Sequence, residues 1–172
     1  MGPGMAVKAA LPKHFSIVVF GLTQIALDLE VLWYLARWNP PLHRFWHTYL
    51  GATIVAAGFA LAGKPASQLI KSIWNQIAKR YPDVDLSVSV HTSWLASASA
   101  AVVGAYSHIL LDSLFHPDIE PLQPWSETNP LFGIINPMML QIGCVILGII
   151  GLVWFFGREQ IRRKANRLPV TD

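Results

Sequence analysis

The stretch "TSWLASASAAVVGAYSHILLDSLF", residues 92–115, decides the fold. It runs for 24 residues with no Lys or Arg and with Asp112 as its one carboxylate. A helix rises ~1.5 Å per residue, so about 20 apolar residues cross a hydrocarbon core of about 30 Å. Three further stretches meet the same test: "FSIVVFGLTQIALDLEVLWYLA" (15–36), "FWHTYLGATIVAAGFALAG" (45–63) and "LFGIINPMMLQIGCVILGIIGLVWFFG" (131–157). The composition agrees, with 53% hydrophobic and 13% charged residues. Nothing in the chain alternates with the period of a strand, and no internal repeat is visible. The expected fold is all-α: an integral membrane four-helix bundle, one transmembrane domain over residues 1–172.

One segment differs from the spans. In "PASQLIKSIWNQIAKRY" (65–81), Leu69, Ile70, Ile73, Trp74 and Ile77 recur at helical spacing, opposite Gln68, Lys71, Asn75 and Lys79. Pro65 suits a first helical turn. This predicts a separate amphipathic helix lying in the membrane interface. Trp33, Trp38, Trp46, Trp125 and Trp154 fall near the predicted span ends, where interfacial anchoring accounts for them.

Charge supplies orientation. Of 13 Lys and Arg residues, only Arg37 and Arg44 fall between spans one and two or between spans three and four. The other basic residues precede span one, link spans two and three, or follow span four. The positive-inside rule then places both termini in the cytoplasm, and for a bacterium this means the inner membrane. The net charge of +3 is a topology signal; no basic stripe interleaved with exposed aromatics points to nucleic acid. The single cysteine, Cys144, lies inside span four and excludes an intrachain disulfide. The opening "MGPGMAVKAALPKH" has neither a small-residue cleavage site after a short apolar core nor the Ser or Thr of a myristoylation signal.

With orientation assigned, polar residues sort by depth. Asp28 lies roughly 20 Å along span one from its cytoplasmic end and His108 roughly 24 Å along span three. His43 and His47 stand at the outer mouth of span two. Asp28, Glu30, His43, Arg44, His47, His108, Asp112 and His116 therefore gather in the outer third of the bundle, from three different spans. An ionisable group at the bilayer centre costs about 2.5–3.5 kcal/mol even on insertion scales, so such groups pair or bind something. His43 with His47, and His108 with Asp112, share a helix face at four-residue spacing. Asp28, His43, His47, His108, Asp112 and His116 form a set of nitrogen and oxygen ligands for a divalent metal ion. That set suits zinc first, then iron or manganese. Residues two apart on a helix face different ways, so Asp28 is the better ligand, and Glu30 stands behind the ligands, acts as a general base, or faces outward near the headgroups. His14 and His91 sit at the cytoplasmic ends of their spans, too far away to join.

These residues resemble a family. Bacterial membrane-bound proteins classed as metal-dependent hydrolases share an ordered series of motifs. A histidine opens the first helix, as His14 does here, and an acid-x-acid pair follows, matched by Asp28 and Glu30 in "LDLE". Then comes a His-Arg and His-Thr segment, matched by His43, Arg44, His47 and Thr48 in "HRFWHT". Last is Ser-His-x-x-x-Asp with a proline loop after it, matched by "SHILLD" and "PLQPW". The resemblance spans residues 14 to about 130. It departs at Leu27, where the family has proline, and at Glu30, where it has Asp. It implies a metal-dependent hydrolase.

The function expected from the sequence is an inner-membrane hydrolase acting on a lipid-linked ester or phosphoester at the outer face. The metal would bring the pKa of a bound water near neutral. Glu30 would accept a proton, and Arg44 would neutralise a phosphate or carboxylate of the substrate. Two rivals stand beside it. One is a cation or proton pathway, although spans two and three carry no charged relay in their inner halves. The other is a closed metal site that only staples the bundle.

Overall fold

The computed structural model describes residues 2–82 and 86–165, without the side chains of 159 and 162–165. Five helices follow in order: α1 (Gly2–Ala10), α2 (Ile17–Ala36), α3 (Tyr49–Ala78), α4 (Trp94–Phe115) and α5 (Pro137–Ala165), with a 3₁₀ turn over Phe45–His47 ahead of α3. No strand occurs among the described residues. Windows within α2, α3, α4 and α5 are long and apolar enough to cross a membrane. Their outward faces carry large apolar side chains such as Leu29, Leu61 and Met139. Exposed apolar surface on that scale suits a bilayer and not water.

Hydroxyl caps set three of the helix starts. Ser16 Oγ accepts from the Val19 amide, Thr48 Oγ1 from Gly51 and Ser93 Oγ from Ala96. Each satisfies one of the amides that a helix N-terminus leaves without a partner.

Helices α2, α3 and α4 form the bundle. Small residues let them approach closely: Ala52, Ala56, Ala100, Ala101 and Ala105 are buried in the seams. At Gly104 a side chain would meet Thr23 Oγ1 at 2.1 Å, so glycine is required for α2 to lie against α4. Two apolar clusters stack along the bundle. Phe15, Val19, Phe20, Ala100 and Ala101 fill one end. Leu27, Ala52, Ala56, Ala105 and Ile109 fill the other. The second cluster positions the site, because Leu27 and Ile109 are the chain neighbours of Asp28 and His108.

Two expectations change. The segment from residue 65 is not a separate helix: α3 runs unbroken through Pro65 to Ala78. Proline is tolerated inside membrane helices because local adjustments re-satisfy the freed carbonyl. Thirty residues make a helix of about 45 Å, longer than a hydrocarbon core, so the amphipathic part is the extension of span two. The chain from 86 to 92 folds back on it: Trp74 Nε1 donates to the Leu86 carbonyl, and Asn75 and Val88 exchange two hydrogen bonds.

The fourth span, in turn, stands at the bundle's edge and packs mainly on α1. The contact is backbone on backbone. A side chain at Gly151 would meet the Met5 carbonyl carbon and the Ala6 nitrogen at 2.5 Å, and Arg158 Nη1 donates to the Ala9 carbonyl.

Candidate metal centre

The site lies where α2, the 3₁₀ turn and the last turns of α4 meet. Asp28, His47, His108 and Asp112 each offer one ligand atom, and those atoms lie within 4.8 Å of one another. His108 Nε2 stands 3.0 Å from Asp112 Oδ2 and 3.3 Å from Asp28 Oδ1. His47 Nε2 is 4.0 Å from Asp112 Oδ2. Two donors bound tetrahedrally at about 2.0–2.1 Å from one ion lie about 3.3 Å apart, which the two His108 contacts match while the His47 contact is wider.

Both histidines are buried, and neither Nε2 has a hydrogen-bond partner among the described residues. Each Nδ1, by contrast, is engaged. His47 Nδ1 lies 3.0 Å from Glu30 Oε2. His108 Nδ1 lies 2.9 Å from Gln24 Oε1, and Gln24 Nε2 donates to the Gly104 carbonyl at 2.7 Å, which fixes the amide's direction. With the proton held on Nδ1 by a carboxylate or amide oxygen, each Nε2 would offer its lone pair to a cation. His108 Nε2 stands at ion-pair distance from Asp112 and Asp28. A polar group buried without a partner costs roughly 1–3 kcal/mol, and a cation between these four residues removes that cost. The group could hold a metal ion. Asp28 is its open side, with the side chain 52% exposed.

Glu30 stands elsewhere than a free base would. Its Oε2 accepts from the Arg44 amide at 3.0 Å as well as facing His47, and its Oε1 accepts from the Trp46 amide at 3.2 Å. Both oxygens are occupied, and the carboxylate is buried. Helical spacing does turn Asp28 and Glu30 apart, yet both reach the centre. Asp28 meets His108 on α4, whereas Glu30 meets the 3₁₀ turn on the other flank of α2.

Arg44 lies outside the centre. Its guanidinium donates to the Pro41 carbonyl and to Asn39, and stacks 3.7 Å over the Tyr34 ring. His43 and His116, expected among the same ligands, belong to a neighbouring group with Asp118. His43 Nδ1 is 3.0 Å from both oxygens of Asp118, whose Oδ2 also accepts from the Leu42 and His43 amides. The His116 ring packs 4.4 Å from that of His43. Burial pushes the Asp118 carboxyl up, but the bond and charge of His43 outweigh it and hold the group below its usual range. Burial, together with neighbouring His43, pulls His116 down from an ordinary imidazole.

His14 and His91 are exposed at the far end of the bundle, where their backbone carbonyls accept from Ser99 and Lys71. Gln24 joins the site as a partner that depth and charge do not single out. Its signal in the sequence is position, since "QIALD" puts it one turn before Asp28 as the other polar residue on that stretch of an apolar helix.

The loop after α4 covers the site as a fixed strap. Ile119 and Pro121 are buried, the Pro121 carbonyl accepts from Tyr49, and Asn129 Nδ2 donates to the Ser113 and His116 carbonyls.

Residues 19–171 match the model of a family described as a domain of unknown function (DUF4184), and the chain belongs to that family. No curated protein and no solved structure matches it.

Proposed function

We propose that the protein is a metal-dependent hydrolase of the bacterial inner membrane, with its site on the outer face and a lipid-linked ester or phosphoester as substrate. The observation that carries the metal is the pair of buried, unpartnered Nε2 atoms facing Asp28 and Asp112. Two histidines and two aspartates suit zinc best, with iron or manganese next. A bound divalent ion would act as a Lewis acid and activate water near neutral pH. The chain's own residues do the rest. Glu30 and Gln24 fix the tautomers and ring planes of His47 and His108. The exposed flank of Asp28 leaves a side for substrate to approach.

Support for a lipid substrate comes from an apolar groove of about 530 Å³ lined by Leu29, Trp33, Tyr34 and Trp46, which runs beside Glu30. An acyl chain fits such a groove, which holds Glu30 and none of the four ligands themselves. With Glu30 fully bonded, its role on this reading is to position His47. Elemental analysis of detergent-purified protein, followed by a screen of lipid esters and phosphoesters, tests the proposal. Bound zinc, iron or manganese with metal-dependent turnover is the expected result. Protein that stays metal-free after growth with all three metals sinks it.

A further inference from the structure

We propose that His43, His116 and Asp118 form a second divalent-cation site beside the first, so that the centre takes two ions per chain. The claim rests on metal binding alone and not on hydrolysis.

The three residues each offer a ligand atom, all within 4.8 Å of one another. Two imidazoles and a carboxylate are a zinc-type set, with room for further ligands from water or substrate. His43 Nδ1 and Asp118 share a hydrogen bond of 3.0 Å, and an ion bound between them would displace that proton, as metal binding to imidazole does. Each member is held from behind. Asp118 is fixed by the amides of Leu42 and His43. His116 sits at the end of α4, where its amide donates to the Asp112 carbonyl at 2.7 Å and Asn129 grips its own carbonyl. The His116 ring touches those of His43 and Phe115 but makes no hydrogen bond among the described residues, so both of its nitrogens remain free to coordinate.

Access and charge point the same way. His43 and Asp118 sit in a cavity of about 650 Å³ whose wall also carries Arg44, Glu120, Gln123 and Glu127. Three carboxylates against one guanidinium make that cavity a cation-attracting mouth. The two groups are also contiguous, because the rings run in a file: His108 to His47 at 5.4 Å, His47 to His43 at 4.7 Å and His43 to His116 at 4.4 Å. Paired metal sites need such neighbouring shells.

The experiment is a metal titration of the full chain in detergent, stripped with chelator and reloaded with zinc, then desalted and assayed by elemental analysis. Wild type should bind two ions per chain. His116→Ala and Asp118→Asn should each bind one, and His108→Ala should lose the first-site ion. A cobalt titration of wild type needs no variant, and its visible absorbance should rise until two equivalents are bound. Saturation at one equivalent overturns the second site. So does His116→Ala that still binds two. Wild type and His116→Ala that each bind one ion, with His108→Ala binding none, would defeat this inference and leave the hydrolase proposal standing, whereas no bound metal at all would defeat both.

Discussion

The two ends of the α2–α4 bundle are both polar, yet only one has bonds left open. At the far end Ser16, Ser67, Thr92 and Ser97 are buried. Ser67 Oγ lies 3.4 Å from Ser16 Oγ and 3.1 Å from Thr92 Oγ1. Lys71 donates to Thr92 at 2.8 Å, and Ser97 donates to the Phe59 carbonyl at 3.1 Å. That network closes on itself. At the site end the orienting bonds are equally good, but they stop at His47 Nε2 and His108 Nε2. Polarity inside a membrane bundle therefore does not mark a binding site. An unclosed network does, because its open valences have a cost that only a ligand removes.

The sharpest way to break this contrast is to remove a ligand. His108→Ala and Asp112→Ala should each remove the ion held with Asp28 and His47, while His14→Ala and His91→Ala leave bound metal at the wild-type level. Retention of that ion by both site variants would mean that the open valences are not what binds it. Next in size is Glu30→Gln, which replaces an acceptor by a group that must turn one N–H toward the Arg44 or Trp46 amide or toward His47. Metal affinity should fall about 10–100-fold, the usual effect of losing a ligand's hydrogen-bond partner. Full affinity with a rate lower by about 10²–10⁴ would instead restore Glu30 as the proton acceptor. Gln24→Leu removes a neutral partner and should weaken binding by about tenfold, the lower end of that range, as read by competition with a chelating dye. Smallest is Ser67→Ala at the closed end. It should leave metal binding unchanged and lower stability by about 0.6 kcal/mol, the mean for hydrogen bonds between membrane helices, measured by unfolding in mixed detergent.

The spans are legible in the sequence because an apolar run of such length has few uses besides crossing a membrane. The expected 15–36 and 92–115 differ from the observed Ile17–Ala36 and Trp94–Phe115 only at their starts. Depth along those spans also brings Asp28, His47, His108 and Asp112 to one level without any knowledge of contacts. What the pattern does not carry is direction. Glu30 reads as a free base because helical spacing turns it from Asp28; nothing in the spacing shows that the 3₁₀ turn waits on that side with two amides and His47. Asp118 carries no signal of its place in the sequence because its partners, Leu42 and His43, lie 76 and 75 residues away. The docking of α5 on α1 depends on backbone contact at Gly151, which leaves no periodic trace. Pro65 misleads in the opposite sense, since proline's preference for a first turn is real but is overridden where neighbouring helices hold the chain straight.

The Glu30 contacts also bear on how the chain is made. A ribosome delivers α2 before α3 and α4, with two acids in an otherwise apolar helix. Glu30 finds its three donors, the Arg44 and Trp46 amides and His47, within 17 residues of itself, so the hairpin of α2 and α3 is complete in that respect as soon as its own turn emerges. Asp28 has no such neighbour and waits for His108, 80 residues later (28 to 108). At ~5–20 residues per second that interval is roughly 4–16 s. Throughout it the membrane holds a hairpin whose one unsatisfied carboxylate faces the place where α4 will arrive. The late helix thus has a charge-bearing groove to enter, with His108 as the partner that Asp28 awaits.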